Sequence, residues 1–368
     1  MLLRTGNVIK GDLEMENKKL KIALIGCGMI GDSHAKAVIA DKRAEITWVV
    51  CGRDYKKGEA FKEKYNIPNL TNDYKDVIKA WDIDIAIIAT PSSYHAECAI
   101  DLLNAGIDVL CEKPLDVKVE KMTAMIEAAN MNNKLLGCVF PNRTQSGIVN
   151  AKKILDSGEL GKMRIVEFQY RGYRSHSYYA NSYWRGDKEI NGGGCLINQG
   201  SHGVDALVYL CGNAKRVLGV SDIMGRKMTG EDTVNALIEF DNGAHGTLMA
   251  TVLSYFPETN SECDRIRIEC EKGTIVFADG KTMLYKSLSE DELKVEKIQL
   301  SDKVESFGDK PEDMDMDAHN RVVSNFIDGV LKGDELIAPA YSARQAVDLI
   351  LSIYKSAETN EWVEVPHF

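Results

Sequence analysis

Lys21-Ile22-Ala23-Leu24-Ile25-Gly26-Cys27-Gly28-Met29-Ile30-Gly31 is a short apolar run that ends in glycines spaced G-x-G-x-x-G. The run has the length of a buried strand, and the glycines open a helix, the context in which this spacing carries physical meaning. Gly26 allows a tight turn, Gly28 lets the backbone approach a pyrophosphate, and Gly31 lets helix and strand pack closely. The helix N-terminus adds amide donors and a positive dipole end. Cys27, Met29 and Ile30 fill the turn and join the glycines as candidate dinucleotide contacts. Similar apolar runs recur at Ile46–Cys51, Ile85–Ala89, Val109–Cys111 and Leu135–Phe140. Between them lie helical spacings such as Ala96, Ala99, Ile100, Leu103 and Met122, Met125, Ile126, Ala129. Alternating strands and helices imply right-handed βαβ units, hence an α/β fold with a doubly wound parallel sheet of Rossmann type.

After Pro141 the rhythm changes. One amphipathic helix (Ile148, Ala151, Ile154, Leu155) ends near Ser157-Gly158, and a strand follows at Met163–Tyr170. From Lys215 to Gln299 strands succeed one another without helices, among them Thr233–Phe240, His245–Leu253, Arg265–Cys270 and Thr274–Phe277. This predicts a second α/β domain with a large, open, mostly antiparallel sheet. Helices over His319–Leu331 and Ala343–Ala357 and a short strand near Trp362–Val365 complete the chain. The division expected is a tail or arm over 1–19, a dinucleotide-binding domain over 20–141, and a substrate-binding and oligomerisation domain over 142–368. Glu290–Asp317 holds eleven acidic residues in 28 positions and reads as a solvated loop. Asp313, Asp315 and Asp317 do not make a calcium loop, because the required glycine and glutamate positions fall on Ala318 and Ser324.

A length of 368 residues suits about two domains, and 44% hydrophobic with 27% charged residues suits a folded chain with a sizeable core. The net charge of −10 has the wrong sign for a general polyanion binder, so nucleic acid is not an expected partner. Nine cysteines stand as singletons, which argues against a disulfide framework or a metal site and for a reducing cytoplasm. No apolar run reaches the ~18–20 residues of a membrane span, and Met1–Lys19 has no hydrophobic signal region.

The second strand ends Val50-Cys51-Gly52-Arg53-Asp54, with glycine where a ribose-binding carboxylate is expected. Gly52 leaves room and Arg53 can pair with a 2′-phosphate, which leans towards NADP; Asp54 can still serve NAD. Thr90-Pro91 closes the next strand, with His95 beyond it. One strand later Cys111-Glu112-Lys113-Pro114 sets an ammonium beside the cofactor site, where it can hydrogen-bond a substrate hydroxyl.

In this order, Gly26-x-Gly28-x-x-Gly31-x-x-His34, Thr90-Pro91 with His95, and Glu112-Lys113-Pro114 resemble the Gfo/Idh/MocA family of nicotinamide-dependent sugar and cyclitol oxidoreductases. The resemblance continues through Gly158-Glu159-Leu160-Gly161, Trp184-Arg185-Gly186, the stretch from Gly192 to Asp205, and Glu231-Asp232-Thr233, covering roughly residues 20 to 366. It implies an active site between the two domains, NAD or NADP as cofactor, and homo-oligomers (dimer, tetramer or hexamer) built through the C-terminal sheet. It casts Lys113 at the reacting hydroxyl and His202 as general acid/base, a role that suits an imidazole. Asn198 stands where many inositol dehydrogenases of the family carry aspartate, which weakens an inositol assignment and leaves proton transfer to His202 with Lys113. Thr90, Pro91, His95, Glu112, Trp184 and Arg185 complete the expected cofactor contacts. The ring- and donor-rich stretch Tyr170–Arg185 forms a substrate wall, with Arg174, His176, Tyr183, Arg185 and Asn198 as candidate contacts.

The expected activity is hydride transfer between a ring secondary alcohol of a sugar or glycoside and the nicotinamide. C3 is the candidate carbon, giving a 3-keto sugar. The alternatives are a ketosugar or diol reductase using NADPH, an inositol dehydrogenase, an enzyme that recycles bound NAD during hydrolysis or elimination, and a non-catalytic NAD(P)-sensing regulator.

Overall fold

The computed structural model describes residues 19–181, 184–255, 264–303 and 316–367. Six strands form the first sheet: β1 (Leu20–Ile25), β2 (Ala44–Val50), β3 (Asn69–Thr71), β4 (Ile85–Ile88), β5 (Asp108–Cys111) and β6 (Leu136–Cys138). Their order is β3-β2-β1-β4-β5-β6 and every pairing is parallel. The chain switches direction across the sheet between β1 and β4, which opens a crevice at the strands' C-terminal ends. β1 continues into the helix Met29–Ala40 through a turn that only glycine fits. Gly26 has φ +118°, and a Cβ there would stand 2.3 Å from the Ala89 carbonyl oxygen. A Cβ on Gly31 would stand 2.2 Å from the Gly26 carbonyl oxygen. The three-residue β3 has no visible run in the sequence because it is too short to show a period.

The second sheet has nine strands in the order β14-β13-β12-β11-β7-β10-β9-β8-β15. These are β7 (Met163–Arg171), β8 (Ala214–Asp222), β9 (Thr233–Phe240), β10 (His245–Thr251), β11 (Asp264–Cys270), β12 (Gly273–Ala278), β13 (Lys281–Ser287), β14 (Val295–Gln299) and β15 (Val363–Glu364). Only β7 and β10 pair in parallel, so the sheet is mostly antiparallel as expected. β14 corrects the reading of Glu290–Asp317 as wholly loop: it is an exposed edge strand whose charges face solvent, a pattern that discourages edge-to-edge pairing. Residues 304–315, with Asp313 and Asp315, lie outside the described residues, as does the expected tail up to Lys18.

Helices Ser201–Cys211 and Ala340–Thr359 cover one face of the second sheet, and their apolar residues join one continuous core with those of β5 and β6. Although it follows the second sheet in sequence, helix Met316–Lys332 packs on the first: Val322, Val323, Phe326 and Ile327 share a core with Ile22, Leu24 and Leu110. Among the described residues no helix is long and apolar enough to cross a membrane, no group of three or more His, Cys, Asp or Glu could hold a metal, and the eight cysteines are free.

Arg143, in the turn Pro141–Thr144 after β6, reaches into helix Ser201–Cys211. Its Nε and Nη2 donate to Asp205 Oδ2 and Oδ1 at 2.9 and 2.6 Å, and its Nη1 donates to Ser342 Oγ at 2.8 Å. Both charges are buried, so removing one strands the other away from water. Asp205→Ala should lower unfolding stability by about 3–5 kcal/mol in a urea titration, the cost typical of breaking a buried pair. A loss below about 1 kcal/mol, the range of exposed pairs, would show that the contact is dispensable.

Candidate active site

A cleft of about 1320 Å³ runs along the C-terminal ends of β1, β4 and β5 and is closed on its far side by segments 173–178, 184–185 and 197–202. Cys27, Gly28, Met29 and Ile30 line it together with Gly26. A Cβ on Gly28 would meet nothing within 4 Å, so the backbone there stands open to a bound group. Gly31 does not line the cleft; it is taken up by the close packing of the helix on the turn. At the end of β2, Gly52 has φ +62°, and Arg53 and Lys57 both line the cleft. Asp54 Oδ1 accepts from the Lys57 amide at 3.0 Å and caps helix Tyr55–Tyr65, an N-cap arrangement.

Thr90 and Pro91 line the cleft as expected, but His95 does not. Its ring is buried, with Nδ1 2.8 Å from the Pro114 carbonyl oxygen and Nε2 2.8 Å from that of Thr90. It staples the loops after β4 and β5, and both polar atoms are committed to backbone instead of a cofactor.

Glu112 and Lys113 stand at the end of β5. Glu112 is buried, accepts from His34 Nε2 at 2.7 Å, and accepts from the Lys113 amide at 3.1 Å. Burial alone would push its carboxyl up, but the His34 hydrogen bond and the His34, His319 and Lys113 charges bring it down to about 2. Lys113 Nζ crosses the cleft and donates to the Asn198 carbonyl oxygen at 2.7 Å. Asn198 lies in a π turn, Leu196–Gly200, a distortion frequent at functional sites.

That turn is held from behind. Glu231 accepts from the Gly194 amide at 2.6 Å, the Leu196 amide at 2.9 Å and the Tyr354 hydroxyl at 2.8 Å. Asp232 accepts from the amides of Met224, Gly225 and Arg226 at 2.7–2.8 Å. The Glu231-Asp232 pair is therefore scaffolding. His202 follows one residue into helix Ser201–Cys211 and lies edge-on to Phe140 at 5.9 Å. Burial, and then the Lys113 charge, hold its imidazole well below the usual value of 6.5, so it is neutral at pH 7.

Of the expected substrate wall, Arg174, Trp184, Arg185 and Asn198 line the cleft. His176 does not: it opens the short helix His176–Ala180 on the outside of the wall and is exposed. Tyr183 lies outside the described residues. Tyr178, inside the stretch read as the wall, lines the cleft too, as do Gln199 and His319, which were not among the candidate contacts. Tyr178 carries the wall, with Arg185 packed 4.5 Å from its ring centre and Gln199 Nε2 donating to its hydroxyl at 3.2 Å. His319 comes from helix Met316–Lys332 and stands 6.3 Å from His34, a meeting that no local motif announces.

The lining fits a dinucleotide and a polar substrate. Gly28 is open at a helix N-terminus, and Thr90 Oγ1, Asn198 Nδ2 and His202 Nδ1 are buried without a partner among the described residues. Buried polar atoms of this kind are costly unless a ligand or water meets them.

Residues 20–140 match the oxidoreductase family with an NAD-binding Rossmann fold, and residues 148–276 match the Gfo/Idh/MocA C-terminal domain. The chain is 29% identical to the levoglucosan dehydrogenase of Pseudarthrobacter phenanthrenivorans over 266 residues, 64% of this chain and 68% of that protein. It is 35% identical to the inositol 2-dehydrogenase of Salmonella typhimurium over 149 residues, 40% of this chain and 44% of that one. Among solved structures, the WlbA dehydrogenase of Bordetella pertussis in complex with NADH and UDP-GlcNAcA superposes with a TM-score of 0.80 at 27% identity, covering 95% of this chain and 100% of that chain. With both halves matched, and with the glycine turn, Glu112-Lys113-Pro114 and His202 gathered around one cleft, the chain belongs to the Gfo/Idh/MocA family of nicotinamide-dependent oxidoreductases.

Proposed function

We propose that this protein moves a hydride between a ring secondary alcohol of a sugar or glycoside and a nicotinamide dinucleotide. The observation that carries the reading is the pairing of Lys113, its ammonium drawn across the cleft to Asn198, with His202, kept neutral in the same lining. Loss of hydride from a secondary alcohol requires loss of its O–H proton, and a neutral imidazole accepts it while the lysine ammonium holds the oxygen. When bound, the dinucleotide supplies the hydride acceptor. Asn198, an amide, orients a hydroxyl and takes no proton. Run backwards, the same residues deliver a proton to a ketosugar. Contacts between copies of the chain fall, on this reading, on the uncovered face of the second sheet, where Ile165, Val220 and Leu237 are exposed.

The corner beyond β2 favours a 2′-phosphate. It presents Arg53 and Lys57 to the cleft, has no carboxylate at the strand end, and spends an Asp54 oxygen on a helix cap. The WlbA dehydrogenase named above carries NADH, so the two dinucleotides are compared directly. Reduction of NAD and NADP in the presence of inositols, free sugars, glycosides and nucleotide sugars, followed by nicotinamide absorbance, tests the activity. A panel that gives no reduction in either direction would sink it.

Lys113→Met should lower turnover by about 10²–10⁴-fold while dinucleotide affinity stays within about twofold; unchanged turnover would remove Lys113 from the chemistry. Because His202 titrates below 6.5, the parent enzyme should keep its activity as pH falls through 6.5 and lose it only at lower pH, and His202→Ala should abolish that acid limb. An acid limb that persists in the variant assigns the proton transfer elsewhere. Arg53→Ala should raise KM for NADP about 10–100-fold, as expected for a lost charge-assisted hydrogen bond, and leave NAD unaffected; equal weakening of both discards the phosphate pocket.

A further inference from the structure

We infer that Gln199 and Tyr178 form a specificity subsite that grips a second hydroxyl of the sugar, the one on the carbon next to the carbon that reacts. This rests on the reading of the cleft as a sugar site and narrows it to rings with two free hydroxyls side by side. Gln199 lines the cleft and is only 5% exposed. Its Nε2 donates to the Tyr178 hydroxyl at 3.2 Å, while its Oε1 is buried and meets no partner among the described residues. A buried carboxamide with one end committed and the other empty is costly until a ligand or water supplies the missing contact.

Both side chains are carried on fixed supports. In the π turn that holds Gln199, Glu231 binds the Leu196 amide, and the Ile197 amide donates to the Tyr354 hydroxyl at 3.2 Å. Tyr178 lies in the short helix His176–Ala180, where its amide donates to the capping Ser175 Oγ at 3.2 Å. Its ring is packed edge-on by Tyr179 at 5.1 Å and by the guanidiniums of Arg174 and Arg185, 5.4 and 4.5 Å from its centre. A polar pair held this way is ready for its ligand before the ligand arrives, which lowers the cost of binding.

The pair complements a hydroxyl. The Tyr178 oxygen accepts from Gln199, and its own proton has no acceptor among the described residues, so the two groups present one donor, the tyrosine O–H, and one acceptor, Gln199 Oε1. Turning the carboxamide end for end exchanges the roles and leaves the same complement. A sugar hydroxyl accepts from the one and donates to the other. A carboxylate would set lone pairs against Oε1, and an ammonium would leave the tyrosine proton unmet. Placement selects which hydroxyl is read. Gln199 follows directly on Asn198, whose carbonyl oxygen receives Lys113 Nζ at 2.7 Å, and stands three residues ahead of His202. The ammonium and the imidazole take the reacting oxygen, and the carboxamide beside them takes the oxygen beside it on the ring.

The test is calorimetric titration of the protein, saturated with NADH or NADPH, whichever binds more tightly, with methyl glucoside and its 2-deoxy and 4-deoxy forms, which lack one or the other neighbour of C3. At least one deoxy sugar should bind about tenfold or more weakly than the glucoside, the scale of a hydrogen bond whose loss leaves buried partners unmet. Tyr178→Phe, which keeps the ring and removes only the hydroxyl, and Gln199→Met should each weaken the glucoside by a similar factor and leave that deoxy sugar within about twofold of the parent. A merely structural role would weaken every sugar alike. A thermal melt matching the parent shows that each variant is folded. Equal affinity for the three sugars, absence of binding by all of them, or equal weakening of glucoside and deoxy sugar in both variants overturns the inference. Because binding is read without turnover, a hydroxyl preference that both variants abolish, found together with no cofactor reduction, would overturn the hydride-transfer reading alone.

Discussion

The buried pair between Arg143 and Asp205 is the constraint from which the geometry of the cleft follows. Arg143 leaves the last strand of the first sheet, Asp205 sits on the helix that begins at Ser201, and Ser342, on the long C-terminal helix, receives the third guanidinium donor. One side chain therefore joins the edge of the parallel sheet to the two helices that cover the antiparallel one. His202 stands less than a turn before Asp205, and the π turn with Asn198 lies just ahead of it. The pair thereby sets the height of both against Lys113. A buried ion pair contributes little net stability against a well-packed apolar alternative, but it tolerates few geometries, and a site built across two sheets needs that selectivity.

Within the cleft the charges depend on one another in sequence. His34 holds Glu112 ionised in a place where burial alone would neutralise it. Ionised Glu112 accepts from the Lys113 amide and fixes the start of that residue. The Lys113 ammonium, drawn to the Asn198 carbonyl, adds its charge to the burial that keeps His202 neutral. Glu231 does comparable work with neutral partners, holding the Gly194 amide and the start of the π turn at Leu196.

Much of the fold was legible because its signals are local. The glycine turn after β1, the apolar strands and the change of rhythm after Pro141 each lie within a few consecutive residues, and the structure has them in the expected order. β3 escaped because three residues show no period, and β14, within the expected run of strands, overlaps the stretch also read as loop because four of its five residues are exposed. In the site, residues next to a strand's C-terminal end were found where expected: Gly28, Arg53, Thr90 and Lys113. Proximity in sequence misled at His95, whose two ring nitrogens are bound to backbone carbonyls, and at His176, which its short helix turns outward.

The sequence by itself determined the parallel sheet, the phosphate-ready turn and the identity of the ammonium and imidazole, since period, glycine spacing and side-chain chemistry are written in neighbouring residues. Only the tertiary structure decided which groups meet. His319 is brought to His34 across 285 positions of chain, Arg143 to Asp205 across 62, and three arginines to two tyrosine rings. Those meetings follow from how helices pack on two different sheets. They set protonation states and wall charge through burial and distance, quantities that no local pattern of residues contains.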